Sequence, residues 1–479
     1  MNDAAPTPSQ PSAPALVQVT PGGPVNGEIT PPGSKSLTNR ALICAAFASG
    51  HSKLTGALRS EDTEVMIDSL GKIGFDIRVS EGGRTIEVAN PREPNFSQTN
   101  AKPTTSSLFI ANSGTTVRFL TAALSAFGGN YGLSGVPRMH QRPIGDLVNA
   151  IEPVIIGSIK AESAGQCPPV QIDSSGWSDS DIHVGGSVSS QYLSGLMMAA
   201  PIYPIGGPSA SSKKQVRIIV DGELVSRPYV DMTIRVMDSF GAKTNVCTTG
   251  LSTGETIAFE ITAVANQSGF GYRGCEYPIE PDASAASYFW AAAAITGGRV
   301  TVSGLSRDAM QGDVGFVDVL EKMGCTVEHQ SDSITVIGSE LHGIDIDMNA
   351  ISDTVQTLAV VALFADGATR VRGVAHNRFK ETDRIGDLAC ELRKLGAEVI
   401  EHRDGLTIVP PPKTDLQGAP CLHGAQLMTY HDHRMAMSLS LAGLRIDGVR
   451  IEDPSCTSKT YPEYFADLER LIGRPHCWT

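Results

Sequence analysis

The feature that most limits how this chain can fold is a unit that recurs six times along it. In each unit a serine or an aspartate opens an alanine-rich apolar run, which closes at glycine or proline. Consecutive starts lie 71 to 93 residues apart, and regular recurrence of this kind is typical of one structural unit repeated along the chain. The six starts are Ser34, Ser113, Ser189, Asp282, Asp353 and Asp432.

Each alanine-rich run predicts a buried helix. Serine and aspartate are favoured N-cap residues, the runs are apolar on nearly all sides, and glycine or proline is a stop signal. A helix N-terminus favours anions, and cations beside it strengthen that preference. Six such ends meeting in one place would therefore form an anion-binding site. The cations in the first turns are Lys35, Arg40, Arg118 and Arg434.

The segments that follow each run repeat in a similar order. In the fourth unit RVTVSGL alternates like a strand, DVGFVDVLEKMG is amphipathic at helical spacing, and CTVEHQ and SITVIG read as short strands. The pattern predicts an α/β fold in which each unit runs helix, strand, helix, strand, strand. Polar stretches near Glu93–Ser107 and Gly206–Gln215 are expected to be surface loops.

Two domains of three units each are expected, because 479 residues exceed one compact core. The segments Thr30–Gly33 and Tyr277–Pro281 are expected to be the crossings between the domains. The predicted limits are a disordered tail at 1–16, one domain at 33–279, and a second domain at 17–32 with 280–479.

Composition argues against several classes of protein. The formal net charge of −13 disfavours binding to nucleic acid or to anionic membranes. No apolar run reaches the roughly 18–20 residues of a membrane span. The first 34 residues lack the basic residues of a secretory or transit signal. The nine cysteines show no metal-ligand spacing, so reduced thiols in a cytoplasmic protein are expected.

Polar motifs stand at equivalent points of the repeat. PGSKSLTNR and NSGTTVR open the first two helices, and RPIGDL, SSQ, KETDR, DHR and SKT add basic, hydroxyl and amide groups. Each motif alone is ordinary, because a cation near a helix start is more often solvated and KETDR is a common exposed salt-bridge pattern. Their joint recurrence is what favours a functional site.

In these motifs the chain resembles the EPSP synthase family of enolpyruvyl transferases. The resemblance runs from Val17 to Leu471 and also includes SRPY, EPDASAASYF, MQGD, DHRMAM and CTSKTYPEYF in family order. It implies two domains of three βαβαββ units, with the active site in the cleft between them. It also implies an addition–elimination reaction of the shikimate pathway, in which the enolpyruvyl group of phosphoenolpyruvate passes to the 5-hydroxyl of shikimate 3-phosphate. No metal or organic cofactor is implied.

The resemblance implies two adjoining substrate sites. Shikimate 3-phosphate would be held by Lys35, Ser36, Arg40, Ser189, Ser190, Gln191, Ser226, Tyr229, Asp353, His376 and Lys380. Phosphoenolpyruvate would be held by Lys35, Gly114, Arg142, Gln191, Arg384, Arg434 and Lys459. In catalysis Asp353 would handle the hydroxyl proton, Glu381 would relay a proton to C3 of phosphoenolpyruvate, and Lys35 would assist the leaving phosphate.

Two positions depart from the family pattern. His376 stands where the family has an asparagine contact to the 3-phosphate, which makes that contact sensitive to pH. Phe119 follows Arg118 where many relatives have proline. Because Gly114 is retained, the phosphoenolpyruvate-like inhibitor glyphosate is still expected to bind.

Three alternative functions share this scaffold. A sister transferase acting on UDP-N-acetylglucosamine carries a reactive cysteine before its Arg-Pro, and the stretch Ser134–Arg142 contains none. A catalytically silent binding protein would have lost Lys35, Asp353 or Glu381, and all three are present. RNA-end processing is disfavoured by the acidic charge and by the lack of a nucleotide motif. The expected partners are the two small substrates of a monomeric enzyme.

Overall fold

The computed structural model describes residues 15–80, 82–90, 105–186, 189–202, 215–251, 254–264, 271–414 and 416–479. Each of the six units contributes one alanine-rich and one amphipathic helix. In chain order, α1 to α12 are Lys35–Ala46, Glu61–Ile73, Gly114–Phe127, Gly145–Ile151, Ser190–Ala199, Arg227–Ser239, Ala283–Thr296, Phe316–Lys322, Val355–Ala362, Gly386–Lys394, His433–Ala442 and Tyr464–Ile472. Short 3-10 helices lie at Met139–Gln141, Ala200–Ile202, Gly312–Gly315, Asn349–Thr354, Ala375–Phe379 and Pro454–Lys459.

Six four-stranded sheets share one topology, in which a leading strand is parallel to its neighbour and the remaining pairs are antiparallel. From the leading strand onward, the first three sheets are Glu276–Pro278, His51–Thr55, Thr85–Ala89 and Asp76–Val79; Thr105–Phe109, Gly129–Ser134, Cys167–Trp177 and Ile155–Ser163; and Ile182–Gly185, Gln215–Asp221, Gly254–Thr262 and Lys243–Leu251. The other three are Asn26–Ile29, Arg299–Ser303, Ser333–Ile337 and Thr326–His329; Asp345–Asp347, Thr369–Arg372, Gly405–Val409 and Glu398–His402; and Gln426–Leu427, Arg450–Glu452, Leu16–Gln18 and Cys477–Trp478. A separate pair joins Ala48–Ser49 to Tyr272–Arg273.

Two leading strands come from a distant part of the chain. Glu276–Pro278 leads the sheet of the first unit, and Asn26–Ile29 leads the sheet of the fourth. After each of these strands the chain passes from one hydrophobic core to the other, and Gly33 pairs with Pro281 at that point. The first core is built by residues 37–279, and the second core by 17–29 with 283–472.

The predicted domain limits stay a prediction, although the predicted tail needs one adjustment. The strand Leu16–Gln18 pairs with Arg450–Glu452, so Leu16 is ordered. Residues 1–14 lie outside the described residues.

Each core is centred on three alanine-rich helices that contact one another: α1, α3 and α5 in the first core, and α7, α9 and α11 in the second. Small side chains let these backbones approach closely, and every residue from Ala283 to Ile295 is buried. Buried hydroxyls link the second set, because Thr357 Oγ1 lies 3.1 Å from Ser287 Oγ and 3.3 Å from Ser438 Oγ. These hydrogen bonds fix how α7, α9 and α11 are rotated against one another.

Five of the six predicted helix starts are N-caps, namely Ser34, Ser113, Ser189, Asp282 and Asp432, whose side chains accept backbone N–H groups. The prediction is wrong for Asp353. It lies in the 3-10 helix before α9, and the N-cap of α9 is Thr354. Its carboxylate accepts hydrogen bonds from Arg384 and Arg434 instead, and such charge-assisted bonds are stronger than a bond to one backbone N–H.

The two predicted surface loops fall largely outside the described residues, at 91–104 and 203–214. At 105–107 the loop prediction is wrong, because these residues belong to the strand Thr105–Phe109, and Gln215 already opens the strand Gln215–Asp221. Among the helices in the described ranges, none combines the length and the apolar character that a membrane crossing requires.

Candidate active site

The beginnings of five alanine-rich helices meet at one small cavity between the two cores. The cavity has a volume of about 30 Å³. The residues that come from these helix starts are Lys35 of α1, Gly114 and Thr115 of α3, Gln191 of α5, Asp353 just before α9, and Arg434 of α11. The rest of the lining is Asp62, Arg118, Arg142, Lys380, Glu381 and Arg384.

The lining carries six cations and three carboxylates, in a chain whose formal net charge is −13. The partial positive charges of the helix N-termini add to those cations. The cavity is therefore suited to ligands that carry several negative charges, as the sequence pattern predicts.

Asp353 is held by three cations. Its Oδ1 accepts a hydrogen bond from Arg384 Nη1 at 3.2 Å, its Oδ2 accepts one from Arg434 Nη2 at 2.8 Å, and Lys380 Nζ lies 3.8 Å from Oδ1. Burial alone would raise the pKa of Asp353, but Arg434, Lys380 and Arg384 together lower it well below its usual range. The carboxylate is thus ionised, and it is a weak base while these cations remain on it.

Glu381 has a similar environment. Its Oε1 accepts a hydrogen bond from Lys459 Nζ at 3.1 Å and lies 3.6 Å from Arg142 Nη2, and its Oε2 accepts one from Arg384 Nη2 at 2.8 Å. Burial would raise the pKa of Glu381, but Lys459, Arg142 and Arg384 hold it well below its usual range. Arg384 therefore joins the two acids to which the sequence resemblance assigns proton transfer.

Lys35, the third predicted catalytic residue, pairs with an acid that the sequence analysis missed. Its Nζ lies 3.2 Å from Asp62 Oδ2, and Asp62 is buried in the first turn of α2. An acid in the first turn of an amphipathic helix is an ordinary partner of the helix dipole, so nothing in the local sequence marks Asp62 as part of a site.

Arg118 was predicted as one of the first-turn cations but was assigned to neither substrate. Its Nη1 donates to Gln191 Oε1 at 2.6 Å, and burial lowers its pKa. Arg118 lies one helical turn after Gly114, so both face the cavity. A Cβ atom on Gly114 would lie 2.5 Å from Arg142 Nη2 and 3.1 Å from Arg118 Nη1, and glycine is therefore what lets both guanidinium groups approach.

The remaining predicted residues lie outside the cavity lining: Ser36, Arg40, Ser189, Ser190, Ser226, Tyr229, His376 and Lys459. Lys459 still reaches the site through Glu381, and it also donates to the carbonyl oxygen of Asn112 at 2.9 Å. Ser189 and Ser190 stand directly before Gln191 at the start of α5, where the side chain of Ser189 forms the cap.

Ser226, Tyr229 and His376 form a second group, to which both cores contribute. Ser226 Oγ lies 3.4 Å from His376 Nε2, and the Tyr229 hydroxyl donates to the carboxylate of Asp313 at 3.0 and 3.2 Å. Burial, helped by the charge of Lys380, lowers the pKa of His376 to about 4. The imidazole is therefore neutral near pH 7.

Arg40 is committed to contacts within the first core. Its guanidinium donates to Thr233 Oγ1 at 2.8 Å, to the Ser36 carbonyl at 3.0 Å, to the Tyr229 carbonyl at 3.3 Å and to Ser194 Oγ at 3.4 Å. These bonds use most of its five N–H donors. The geometry assigns Arg40 to holding α1, α5 and α6 together, and its contact with a ligand stays a prediction.

No group of three or more His, Cys, Asp or Glu side chains within the described ranges is arranged to hold a metal ion.

Comparison with known proteins gives a consistent result. Residues 19–468 match the family described as EPSP synthase (3-phosphoshikimate 1-carboxyvinyltransferase). The chain is 42% identical to the 3-phosphoshikimate 1-carboxyvinyltransferase of Erwinia tasmaniensis over 93% of this chain and 96% of that one. It is 41% identical to the protein of that name from Shewanella sp. strain W3-18-1, over 94% of this chain and 97% of that one.

Solved structures show the same fold. An EPSP synthase from Acinetobacter baumannii superimposes with a TM-score of 0.73 at 24% identity, covering 97% of this chain and 99% of that one. An enolpyruvyl transferase from Streptomyces tendae superimposes with a TM-score of 0.69 at 17% identity, covering 98% and 99%. The fold is thus the two-domain fold of the enolpyruvyl transferases, and with its motifs and the near-complete family match the chain belongs to the EPSP synthase family.

Proposed function

We propose that this protein transfers the enolpyruvyl group of phosphoenolpyruvate to the 5-hydroxyl of shikimate 3-phosphate and releases phosphate, as a 3-phosphoshikimate 1-carboxyvinyltransferase. The observation that carries the proposal is the cavity lined by six cations, in a chain that matches the EPSP synthase family over nearly its whole length. The reaction joins two polyanions, which repel by roughly 4 kcal/mol per charge pair at 4 Å in an effective dielectric of about 20. A cluster of cations offsets that repulsion.

Phosphoenolpyruvate is bound by Lys35 and by cations that now contact the two site acids. Its carboxylate suits the planar fork of an arginine, and its phosphate suits lysine and arginine together. The groups assigned to it are Lys35, Arg142, Arg384, Arg434 and Lys459 with Gln191, and Gly114 leaves the space that they need. Arg118 is added to this set, because it lines the cavity and donates to Gln191.

Shikimate 3-phosphate is bound next to it by hydroxyls, an amide and cations from both cores. The residues assigned to it are Ser226, Tyr229, His376 and Lys380, together with Ser189, Ser190 and Gln191 at the start of α5. Ser36 and Arg40 lie at the start of α1 beside this group. Buried ring hydroxyls each need a hydrogen-bond partner, and these side chains supply acceptors as well as donors.

Asp353 takes the proton of the 5-hydroxyl as its oxygen attacks C2 of phosphoenolpyruvate. The pKa of Asp353 is low because Arg434, Lys380 and Arg384 lie against it. Substrate anions that bind these cations weaken their effect on Asp353, which raises its pKa and makes it a better base. Substrate binding therefore also prepares the base.

Glu381 relays the proton that C3 gains during the addition, giving a tetrahedral intermediate with a new oxygen–C2 bond. In the elimination the bond from C2 to the phosphate oxygen breaks while Glu381 takes a proton back from C3, which restores the double bond as an enol ether. Lys35 donates to the departing phosphate. General acid–base catalysis of this kind contributes about 10²- to 10⁴-fold to a rate.

The protein is further proposed to act as a monomer in the cytoplasm, with the two substrates as its only partners. The acidic net charge of −13 supports the absence of a nucleic acid partner.

The test of the function is phosphate release from phosphoenolpyruvate, measured separately with shikimate 3-phosphate and with UDP-N-acetylglucosamine as acceptor. Release with shikimate 3-phosphate alone is expected, because the stretch Ser134–Arg142 lacks the reactive cysteine of the sister transferase. Release with the sugar nucleotide alone would contradict the assignment. The Asp353→Ala variant serves as the background control for both acceptors.

A further inference from the structure

The carboxylate of Asp313 lies between Tyr229, a proposed substrate contact, and Ser284 at the start of α7, although the mechanism above does not use it. Asp313 is 3% exposed and belongs to the 3-10 helix Gly312–Gly315. It accepts hydrogen bonds from the hydroxyl of Tyr229, on α6 of the first core, and from the hydroxyl of Ser284, at the start of α7 in the second core. One side chain therefore joins the two cores.

The loop that carries Asp313 is firmly held. Gln311 Nε2 donates to the carbonyl oxygen of Pro281 at 2.6 Å, Gln311 Oε1 accepts from the backbone N–H of Ala283 at 3.0 Å, and the N–H of Met310 donates to the carboxylate of Glu280 at 3.1 Å. These contacts attach the loop to the chain crossing and to the start of α7.

The same loop lies directly against α6. A Cβ atom on Gly312 would stand 2.4 Å from Cβ of Pro228, so no larger residue fits between the loop and the helix. The carboxylate of Asp313 therefore has a defined position relative to Tyr229, which follows Pro228.

Hydrogen bonds lead from Asp313 to the proposed base. The hydroxyl proton of Ser284 goes to Asp313, so Ser284 Oγ can accept, and Arg434 Nη2 lies 3.4 Å from it. Arg434 Nη2 also donates to Asp353 at 2.8 Å. Burial and the charge of Asp353 raise the pKa of Asp313 to about 6, which marks the position as unfavourable for a carboxylate that has no other task there.

We propose that Asp313 is a positioning residue that acts on the reaction through two side chains. By accepting the Tyr229 proton, it leaves the phenol oxygen free to accept a hydrogen bond from a hydroxyl of shikimate 3-phosphate. By accepting the Ser284 proton, it orients Ser284 toward Arg434 and so fixes the cation that contacts Asp353. This inference rests on the proposed function, and it goes beyond it by separating one contribution to binding from one to turnover.

The test measures KM for shikimate 3-phosphate and kcat in three variants. Asp313→Asn should raise KM and lower kcat, each by about tenfold, the effect of one lost hydrogen bond to a charged group. Tyr229→Phe should raise KM alone, and Ser284→Ala should lower kcat alone. In a Tyr229→Phe background, Asp313→Asn should add no further increase in KM.

Asp467→Asn is the matched control. Asp467 is a buried aspartate that accepts a tyrosine hydroxyl, that of Tyr461 at 2.5 Å, and it lies outside the cavity lining. It should lower the melting temperature as much as Asp313→Asn does, without changing KM or kcat. If Asp313→Asn does not fold, Tyr229→Phe and Ser284→Ala still test the separation of KM from kcat.

Calorimetric binding of shikimate 3-phosphate distinguishes failure of this inference from failure of the proposed function. A wild-type protein that neither binds nor converts the substrate would overturn both. If the wild type turns over normally, either of two results in the variants would overturn the positioning role alone. One is unchanged kinetics in Asp313→Asn, and the other is a further rise in KM from Asp313→Asn in the Tyr229→Phe background.

Discussion

Arg384 is the residue on which the ionisation of the site most depends. It is 2% exposed, and it donates hydrogen bonds to Asp353, Glu381 and Asp432 at distances of 2.7 to 3.2 Å. Burial would lower its pKa, but the three acids raise it above its usual range. The guanidinium therefore stays charged, and any ligand anion that it binds changes the environment of both proposed acid–base residues.

The proposed catalytic residues are tested by removing them singly. Lys35→Ala and Asp353→Ala should each lower kcat by about 10³-fold or more, because each removes a group that contacts the reacting atoms. The circular dichroism spectrum should be unchanged. Lys72→Ala is the control, since Lys72 is an exposed helix lysine paired with Asp68. Loss of folding in either site variant would mean that the residue is structural.

Gly114 is expected to set the size of the phosphoenolpyruvate pocket. The Cβ atom of Gly114→Ala would displace Arg142, which it would approach to 2.5 Å, so KM for phosphoenolpyruvate and the inhibition constant of glyphosate should each rise about tenfold or more. Gly71→Ala is the control, because its Cβ would contact nothing within 4 Å. If glyphosate does not inhibit the wild type, or inhibits the variant equally well, Gly114 does not set the size of a phosphoenolpyruvate pocket.

Because His376 is buried, we expect the stability of the folded protein to fall as the pH is lowered. Its pKa is about 4 in the folded protein and 6.5 in its reference state, so the unfolded chain binds the proton more readily. The stabilisation from the neutral imidazole of His376 is therefore complete above pH 6.5. The free energy of unfolding falls by about 3 kcal/mol as the pH drops toward 4. Urea unfolding between pH 7 and 4.5 should show a weaker pH dependence in His376→Asn than in the wild type. An identical dependence in wild type and His376→Asn would contradict the burial of a neutral imidazole.

Local sequence explains some site residues and not others. Lys35, Gly114 and Arg434 could be predicted because each stands at the start of a capped helix. Asp62 and Asp313 were missed, and Arg118 was assigned to no substrate, because their partners lie far away in the chain: Lys35 for Asp62, Gln191 for Arg118, and Tyr229 with Ser284 for Asp313. A sequence motif can indicate where such residues lie, but their partners are decided by tertiary contacts that local sequence does not show.

At the scale of elements, the alanine-rich helices both form the centre of each core and supply the helix N-termini at the cavity. Their small side chains allow three of them to contact one another in each core, and their capped N-termini then meet at the cavity. The helices and most strands of the units could be predicted from periodicity. The short leading strands could not, because Gln426–Leu427 and Asp345–Asp347 are too short to show alternation, and Glu276–Pro278 and Asn26–Ile29 pair with a distant unit.

Asp432 shows how one cap can serve both the helix and the site. It is fully buried, it caps α11 by accepting the N–H of Arg434 at 2.9 Å, and it binds Arg384. Asp432→Asn keeps a capping side chain but removes the charge, so it should lower the free energy of unfolding by about 3 kcal/mol. Asp282→Asn, at the cap of α7, should cost less than about 1 kcal/mol. Equal losses in urea titrations of the two variants would mean that the pair with Arg384 adds nothing beyond capping.

At the scale of the whole molecule, the site depends on contact between the two cores. Lys459 of the second core donates to Asn112 of the first, and Arg138 of the first donates to the Glu381 carbonyl at 3.0 Å. The cavity of about 30 Å³ lies between the cores, and residues of both cores line it.

The two cores together are proposed to join two phosphorylated substrates with release of one phosphate. Phosphorus NMR of the wild type with phosphoenolpyruvate and shikimate 3-phosphate tests this proposal, because it follows each phosphorus atom separately. We predict that the phosphoenolpyruvate signal is replaced by that of inorganic phosphate. The signal of shikimate 3-phosphate should be replaced, in equal amount, by that of the enol ether product. Phosphate that appears without loss of shikimate 3-phosphate, or no change in either signal, would overturn the proposed function.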